Sequence, residues 1–390
     1  MKKFLFILIL ILFIPVHVQA VQNGDSNINS NVEMTEEEKQ KIESLYDYIS
    51  NIQNDYEILR NLNPREFVDS YIKNGDGGLS IKDISKYFLM YAFKEVVASF
   101  KLVGSLIIVA IVCALLNNLQ QAFKVDNISN IAHFACYSLM IIIIAKGFFI
   151  GIDVARNAIK EMSDFITALF PVLMMLLASM GGLSEAMLMD PIIMGICSIG
   201  AKFYSLVLIP LITMSFVLSF VNNICDDYKI SNLTNLIKKS AIWIQGIFLT
   251  VFIGTITIRS IAAKSIDVVT MKTAKFAVDN FIPVVGKTLS DAISTVAGYT
   301  MLLKNAISTV GLIVVLIIVL MPIIKILIMA LIYKLTAAVL EPISDKKIVS
   351  VIDSAGSSLI TISSCVISVS IMFFIMISIV AVAGKSSLLI

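Results

Sequence analysis

Histidine is nearly absent from this 390-residue chain: His17 and His133 are the only two. That leaves almost no material for histidine-ligated metal sites or for Ser-His and Cys-His catalysis. Charge is scarce as well, at 15% Asp, Glu, Lys and Arg, against about 25% in soluble domains. Lys+Arg 30 against Asp+Glu 28 leaves a net charge of +2, so no basic surplus marks a nucleic-acid surface. The five cysteines (Cys113, Cys136, Cys197, Cys225, Cys365) are scattered, with no Cys-x-x-Cys pair. They read as packing residues rather than a metal or redox site. Also missing are a phosphate-binding Gly-rich loop, a Gly-x-Ser-x-Gly elbow, a His-Glu-x-x-His pair and a paired intramembrane Asp motif. The chain therefore reads as a non-enzyme with no cofactor. What it has in excess is apolar residues, 58% of the total, against about 45–50% in an ordinary soluble domain.

The N-terminus reads as a targeting signal. Lys2 and Lys3 precede an unbroken apolar core from Phe4 to Ile14, Pro15 breaks it, and Val18-Gln19-Ala20 offers small residues for cleavage. That core is too short to span a bilayer, which takes about 20 residues. Residues 1–20 are thus a signal peptide and 21–79 a short helical segment exported by it. Thr35 followed by Glu36, Glu37 and Glu38 predicts a helix start, because acids in the first turn complement the helix dipole. Asn63-Pro64 predicts another, with Phe67, Val68, Tyr71 and Ile72 on one face. Asn74 to Gly78 lacks the spaced acids of a calcium loop and reads as a turn. Residues 80–101, with Tyr87, Phe88, Tyr91, Phe93 and Phe100 among four lysines, suit a helix at headgroup level.

Residues 102–390 read as a polytopic membrane domain. Six runs are long and apolar enough to cross: 102–116, 131–152, 191–221, 241–262, 309–333 and 358–383. Two more, 165–189 and 281–303, are apolar but interrupted by Pro and Gly. The fold class is all-α, a multi-pass helical bundle of six to eight spans. Lysines occur in loops on both sides of any alternating assignment, so orientation stays open.

An internal duplication is also expected. Pro171 and Pro210 repeat as Pro283 and Pro322 at one offset, within units of about 131–222 and 241–333. Doubled units with broken hydrophobic segments in matching places mark transport folds. Pro171, Gly181, Gly182, Pro283, Gly286 and Gly298 are the helix breakers inside apolar stretches. They are the candidate pathway or gate, since freed backbone is tolerated only when buried or facing a cavity; a packing kink is the other reading. Lys146, Glu185 and Lys325 are the candidate intramembrane charges, with snorkelling as the bland alternative. Gly195, Gly200, Gly246 and Gly254 are expected to allow close helix contact.

Several segments together carry a resemblance. They are Ala178-Ser179-Met180-Gly181-Gly182-Leu183, Thr273-Ala274-Lys275-Phe276 leading to Asn280-Phe281-Ile282-Pro283-Val284-Val285-Gly286, Leu302-Leu303-Lys304-Asn305, and Tyr333-Lys334-Leu335-Thr336-Ala337-Ala338. With the order of signal, short exported segment and polytopic region, the chain resembles the stage III sporulation protein AE family of endospore-forming bacteria. The resemblance implies a subunit of the secretion-like channel joining mother cell and forespore during engulfment, needed for late forespore gene expression. It implies a place in the mother-cell membrane around the forespore. It also implies partners: an ATPase and ring-forming proteins of the same operon, and a forespore membrane protein. The family supplies no catalytic residues. A non-conducting scaffold and an autonomous secondary transporter are the alternatives.

Overall fold

The computed structural model describes residues 35–53, 56, 59, 63–74, 81–123, 126–180, 183–224, 230–281, 286–344 and 346–383. The signal-peptide reading for 1–20 and the start of the exported segment fall outside them. Among the described residues every regular element is helical: α1 (Glu36–Gln53), α2 (Pro64–Asn74), α3 (Ile81–Phe123), α4 (Asp126–Ser179), α5 (Leu183–Phe203), a π-turn (Tyr204–Leu208), α6 (Ile209–Ile224), α7 (Ser231–Phe281), α8 (Gly286–Leu340) and α9 (Lys346–Val382).

The start of α1 follows from its sequence. Thr35 Oγ1 accepts the Glu38 amide at 3.3 Å, and Glu38 returns a carboxylate oxygen to the Thr35 amide at 2.9 Å. This capping box satisfies two donors that the first turn leaves open. Ion pairs Glu36–Lys39 and Glu37–Lys41 line the exposed face, while Ile42, Leu45 and Ile49 are buried. Asn63 caps α2 by accepting the Arg65 amide at 3.2 Å, with Pro64 at the first helical position. An Arg65–Glu43 ion pair joins α1 to α2.

Among the described residues six helices are long and apolar enough to cross a membrane, the first between Lys86 and Cys113 and the last between Lys346 and Val382. The stretch expected at headgroup level and the first span run together as the single helix α3. Likewise α4 carries the apolar runs around 131–152 and 165–179 without a break. Its segment Tyr137–Ser179 has 43 residues. At 1.5 Å per residue that exceeds a hydrocarbon core of about 30 Å twofold. Part of α4 therefore stands outside lipid or leans steeply.

α9 is the axial helix, touching α4, α5, α6, α7 and α8. It is buried nearly all round, from Ile348 to Val380, as a helix without a polar face must be. Register follows from close approaches. Tyr333 and Ile144 meet, as do Gly311 and Leu169, so α4 and α8 run antiparallel. Gly356 lies against Ala330 and Tyr333, and Lys304 reaches Val380, so α8 and α9 form an antiparallel pair. Of the glycines expected to allow close contact, only Gly200 does so, against Met372 and Phe248. Gly195, Gly246 and Gly254 have open space where a Cβ would stand. The close approaches are instead at Gly151, Gly311 and Gly356, which face Leu359, Leu169 and Ala330.

The two expected repeats are each built of long helices, and only part of the proline comparison falls on described residues. Pro171 lies inside α4, whereas Pro283 falls in the undescribed 282–285 between α7 and α8. Pro210 follows a π-turn, whereas Pro322 sits within the uninterrupted α8.

Candidate functional site

The helix breakers come first. Pro171 is half-buried in α4 with helix on both sides. α4 ends at Ser179, and the next residue, Met180, donates its amide to Leu177 O at 3.3 Å in a turn. Gly181 and Gly182 lie outside the described residues. Gly286 opens α8, and Gly298 is half-buried inside it with nothing within 4 Å of a Cβ. Gly298 is therefore not a close-packing glycine. The distortion that the structure does show is the π-turn before Pro210, where the Ile209 amide bonds to Tyr204 O. A proline has no N–H and its ring crowds the carbonyl four residues back. Widening the helix by one residue accommodates both, and such π-turns recur at functional positions.

The charges separate into three situations. Lys146 is exposed on α4, and the side chain of Glu185 lies outside the described residues. Lys325 meets Glu95 of α3 at 3.5 Å. The pair opens onto a cavity of about 190 Å³ lined also by Ser99, Ile150, Met329 and Tyr333. Tyr333 is fully buried, and its hydroxyl donates to Ile144 O at 3.0 Å, so one wall of that cavity is tied to α4. On helices that cross a membrane a charge is costly unless it is matched, and here each of the two charges has the other. Glu95 was missed in the sequence because its segment reads as interfacial.

A second missed residue is Lys304. Its side chain is fully buried, and its ammonium donates to Val380 O at 3.1 Å and to Ala383 O at the end of α9. Elsewhere α7 and α9 share a polar contact: Gln245 Nε2 donates to Ser364 O at 2.8 Å and Ser368 Oγ at 2.6 Å. Cys113, Cys197 and Cys365 are buried thiols, in keeping with packing roles. Among the described residues no cluster of three or more His, Cys, Asp or Glu could hold a metal.

The N-terminal segment is docked on the end of α4. Ser179 Oγ donates to Glu38 at 2.5 Å, the Tyr56 hydroxyl donates to Glu161, and Tyr48 packs against Phe165. Burial works against the Glu38 charge, but the hydrogen bonds from Ser179 and Thr35 together hold its carboxyl below the usual glutamate range. A carboxyl depressed on folding stabilises at neutral pH, and that stability is lost as pH falls through the folded value. Protection of the α1 amides, taken against the intrinsic exchange rate at each pH, should therefore hold from pH 7 downward and fall below about pH 4, where glutamates protonate. Glu38→Gln should flatten that dependence. Protection in the parent chain that does not change with pH would contradict the contact.

Comparison with known proteins gives a consistent answer. The family model described as stage III sporulation protein AE matches residues 62–384. The chain is 36% identical over 316 residues to stage III sporulation protein AE of Bacillus subtilis (strain 168), covering 81% of this chain and 79% of that one. No solved structure matches. The matched region takes in α2 to α9 and every helix able to cross a membrane, and on that extent the chain belongs to the stage III sporulation protein AE family.

Proposed function

We propose that this chain is an integral membrane subunit of the apparatus joining mother cell and forespore, seated in the mother-cell membrane around the forespore. Its partners in this reading are an ATPase and ring-forming proteins of the same operon and a forespore membrane protein. The observation that carries it is the family match over residues 62–384 in a chain with six helices able to cross a membrane. Within it, Pro171, Gly181, Gly182, Pro283, Gly286 and Gly298 remain the candidate gate or lining. The test uses an endospore-forming host deleted for its own relative. The parent chain should restore a late forespore reporter and co-purify from membranes with the ATPase. Pro171→Ala and Gly298→Leu should depress the reporter while the chain's membrane level holds. A reporter unmoved by both substitutions would favour a scaffold that only recruits partners. Failure of the deletion to affect the reporter would overturn the role itself.

The cavity between Glu95 and Lys325 favours one second reading, a self-contained transporter with a polar site at membrane depth. It requires ion-gradient-driven flux by the purified chain in liposomes, lost in Lys325→Met.

A further inference from the structure

Two ion pairs that join long helices differ in how closely they meet. Lys334 of α8 and Asp353 of α9 approach to 2.7 Å, a charge-assisted hydrogen bond. Lys325 of α8 and Glu95 of α3 stop at 3.5 Å, beyond an ordinary hydrogen bond. Their charges face each other, yet each keeps bonding capacity to spare. Both border the cavity of about 190 Å³. The Glu95 side chain is mostly buried, at 14% exposure, while that of Lys325 is 34% exposed, so the site reaches the surface at the lysine.

The lining divides in two by chemistry. Glu95, Lys325 and Ser99, which stands one turn along α3 from Glu95, are its polar part. Ala98, Ile150, Met329 and Ile332 are its apolar part. The Tyr333 hydroxyl is already committed to Ile144 O and adds no donor. On one side the cavity is closed by α3, whose hold on this part of α8 is slight. Ile324, Ile328 and Ile332 meet it in a small apolar cluster separate from the main core. α3 is therefore the wall most easily displaced to admit a ligand.

Size and charge narrow what that ligand is. The volume falls below the roughly 300–1,000 Å³ of pockets for drug-sized molecules, so nucleotides and peptides are too large. A lone cation is drawn to Glu95 and repelled by Lys325, and a lone anion the reverse. Either would leave an uncompensated charge in a partly dehydrated site, which is costly. A zwitterion leaves none. We propose that the cavity binds a small zwitterion, an α-amino acid with an apolar side chain. Its ammonium donates to the Glu95 carboxylate, its carboxylate accepts from the Lys325 ammonium, and its side chain lies against Ile150, Met329 and Ile332. Ammonium and carboxylate hang from one carbon, so they present opposite charges at a spacing close to that of the receiving pair. The inference rests on the site of the transporter reading above and names its ligand, but it requires binding and not flux.

The test measures radiolabelled L-leucine binding to the full chain in lipid nanodiscs. Binding should be saturable. Isoamylamine and 4-methylpentanoate carry the leucine skeleton with only one of its charges, and each should compete at least tenfold more weakly. Glycine, without the apolar side chain, should also be roughly tenfold weaker. Glu95→Gln and Lys325→Met should each lower leucine affinity tenfold or more. Should a single variant fail to accumulate because it leaves one charge alone, Glu95→Gln combined with Lys325→Met leaves none and should fold without binding leucine. Absence of saturable binding, a single-charge analogue that competes as well as leucine, or affinity unchanged in the variants would each overturn the proposal. Ion-gradient-driven flux in liposomes is measured separately. Leucine bound without flux would sustain this inference and fail the transporter reading, and flux of another solute with no leucine bound would do the reverse.

Discussion

Lys304→Glu is expected to prevent the folded chain from accumulating, and Lys304→Met to lower its stability by about 2 kcal/mol. The reason lies at the end of α9. The last carbonyls of a helix have no partner within it and form the negative end of its dipole. In this chain that end is buried, and the Lys304 ammonium satisfies Val380 O and Ala383 O there. Methionine keeps the volume but leaves buried acceptors unpaired. Glutamate adds an anion facing carbonyl oxygens in a fully buried site, which costs far more. Yield and heat-unfolding midpoint in detergent check the series, with the order parent, methionine, glutamate. Equal midpoints for all three would refute the role assigned to Lys304.

Gly356→Leu should be the most damaging glycine substitution, by about 3 kcal/mol, with Gly356→Ala costing about 1 kcal/mol. A Cβ at Gly356 stands 3.0 Å from Ala330 O, 3.1 Å from Lys334 Cγ and 3.3 Å from Tyr333 Cβ. Backbone cannot yield as a side-chain tip does, and Tyr333 is itself held by its bond to Ile144 O. A larger residue must therefore push α8 from α9 and strain the junction with α4. Gly246 is the control, since nothing lies within 4 Å of its Cβ. There Gly→Ala should be neutral or stabilising by up to about 1 kcal/mol, the helix-propensity difference. A thermal-shift series in one detergent compares them, and equal effects at Gly356 and Gly246 would contradict the packing described.

Much of the architecture was legible before any coordinates. Apolar length alone gives six crossing helices, and Thr35 with Glu38 announces the capping box at the start of α1. Other features hid for physical reasons. Asp153 to Asp164 read as a break between two apolar runs, yet a helix satisfies its backbone bonds whatever its side chains are, so α4 continues and the charges take one face. Glu95 sits among aromatics and lysines that read as interfacial, and its partner Lys325 is far along the chain. Lys304 stands at the edge of an apolar run, where a lysine normally reaches water; only the approach of α9 buries it. Small residues are easy to see, but which of them meets a neighbour depends on register. Gly356 does and Gly246 does not. Pro210 is visible as one of the repeated prolines, while the π-turn that accommodates it is not.

The central claim is a helical bundle whose outer apolar belt faces hydrocarbon. The chain holds one tryptophan, Trp243, which is 72% exposed on α7 between the exposed Ile242, Ile244 and Ile247. Its fluorescence in vesicles of lipids brominated on the acyl chains reads that belt without any substitution. Strong quenching by the brominated chains, with little quenching by aqueous iodide, is the result this structure predicts. Quenching by iodide with none from the brominated chains would put this face of α7 in water and contradict the account.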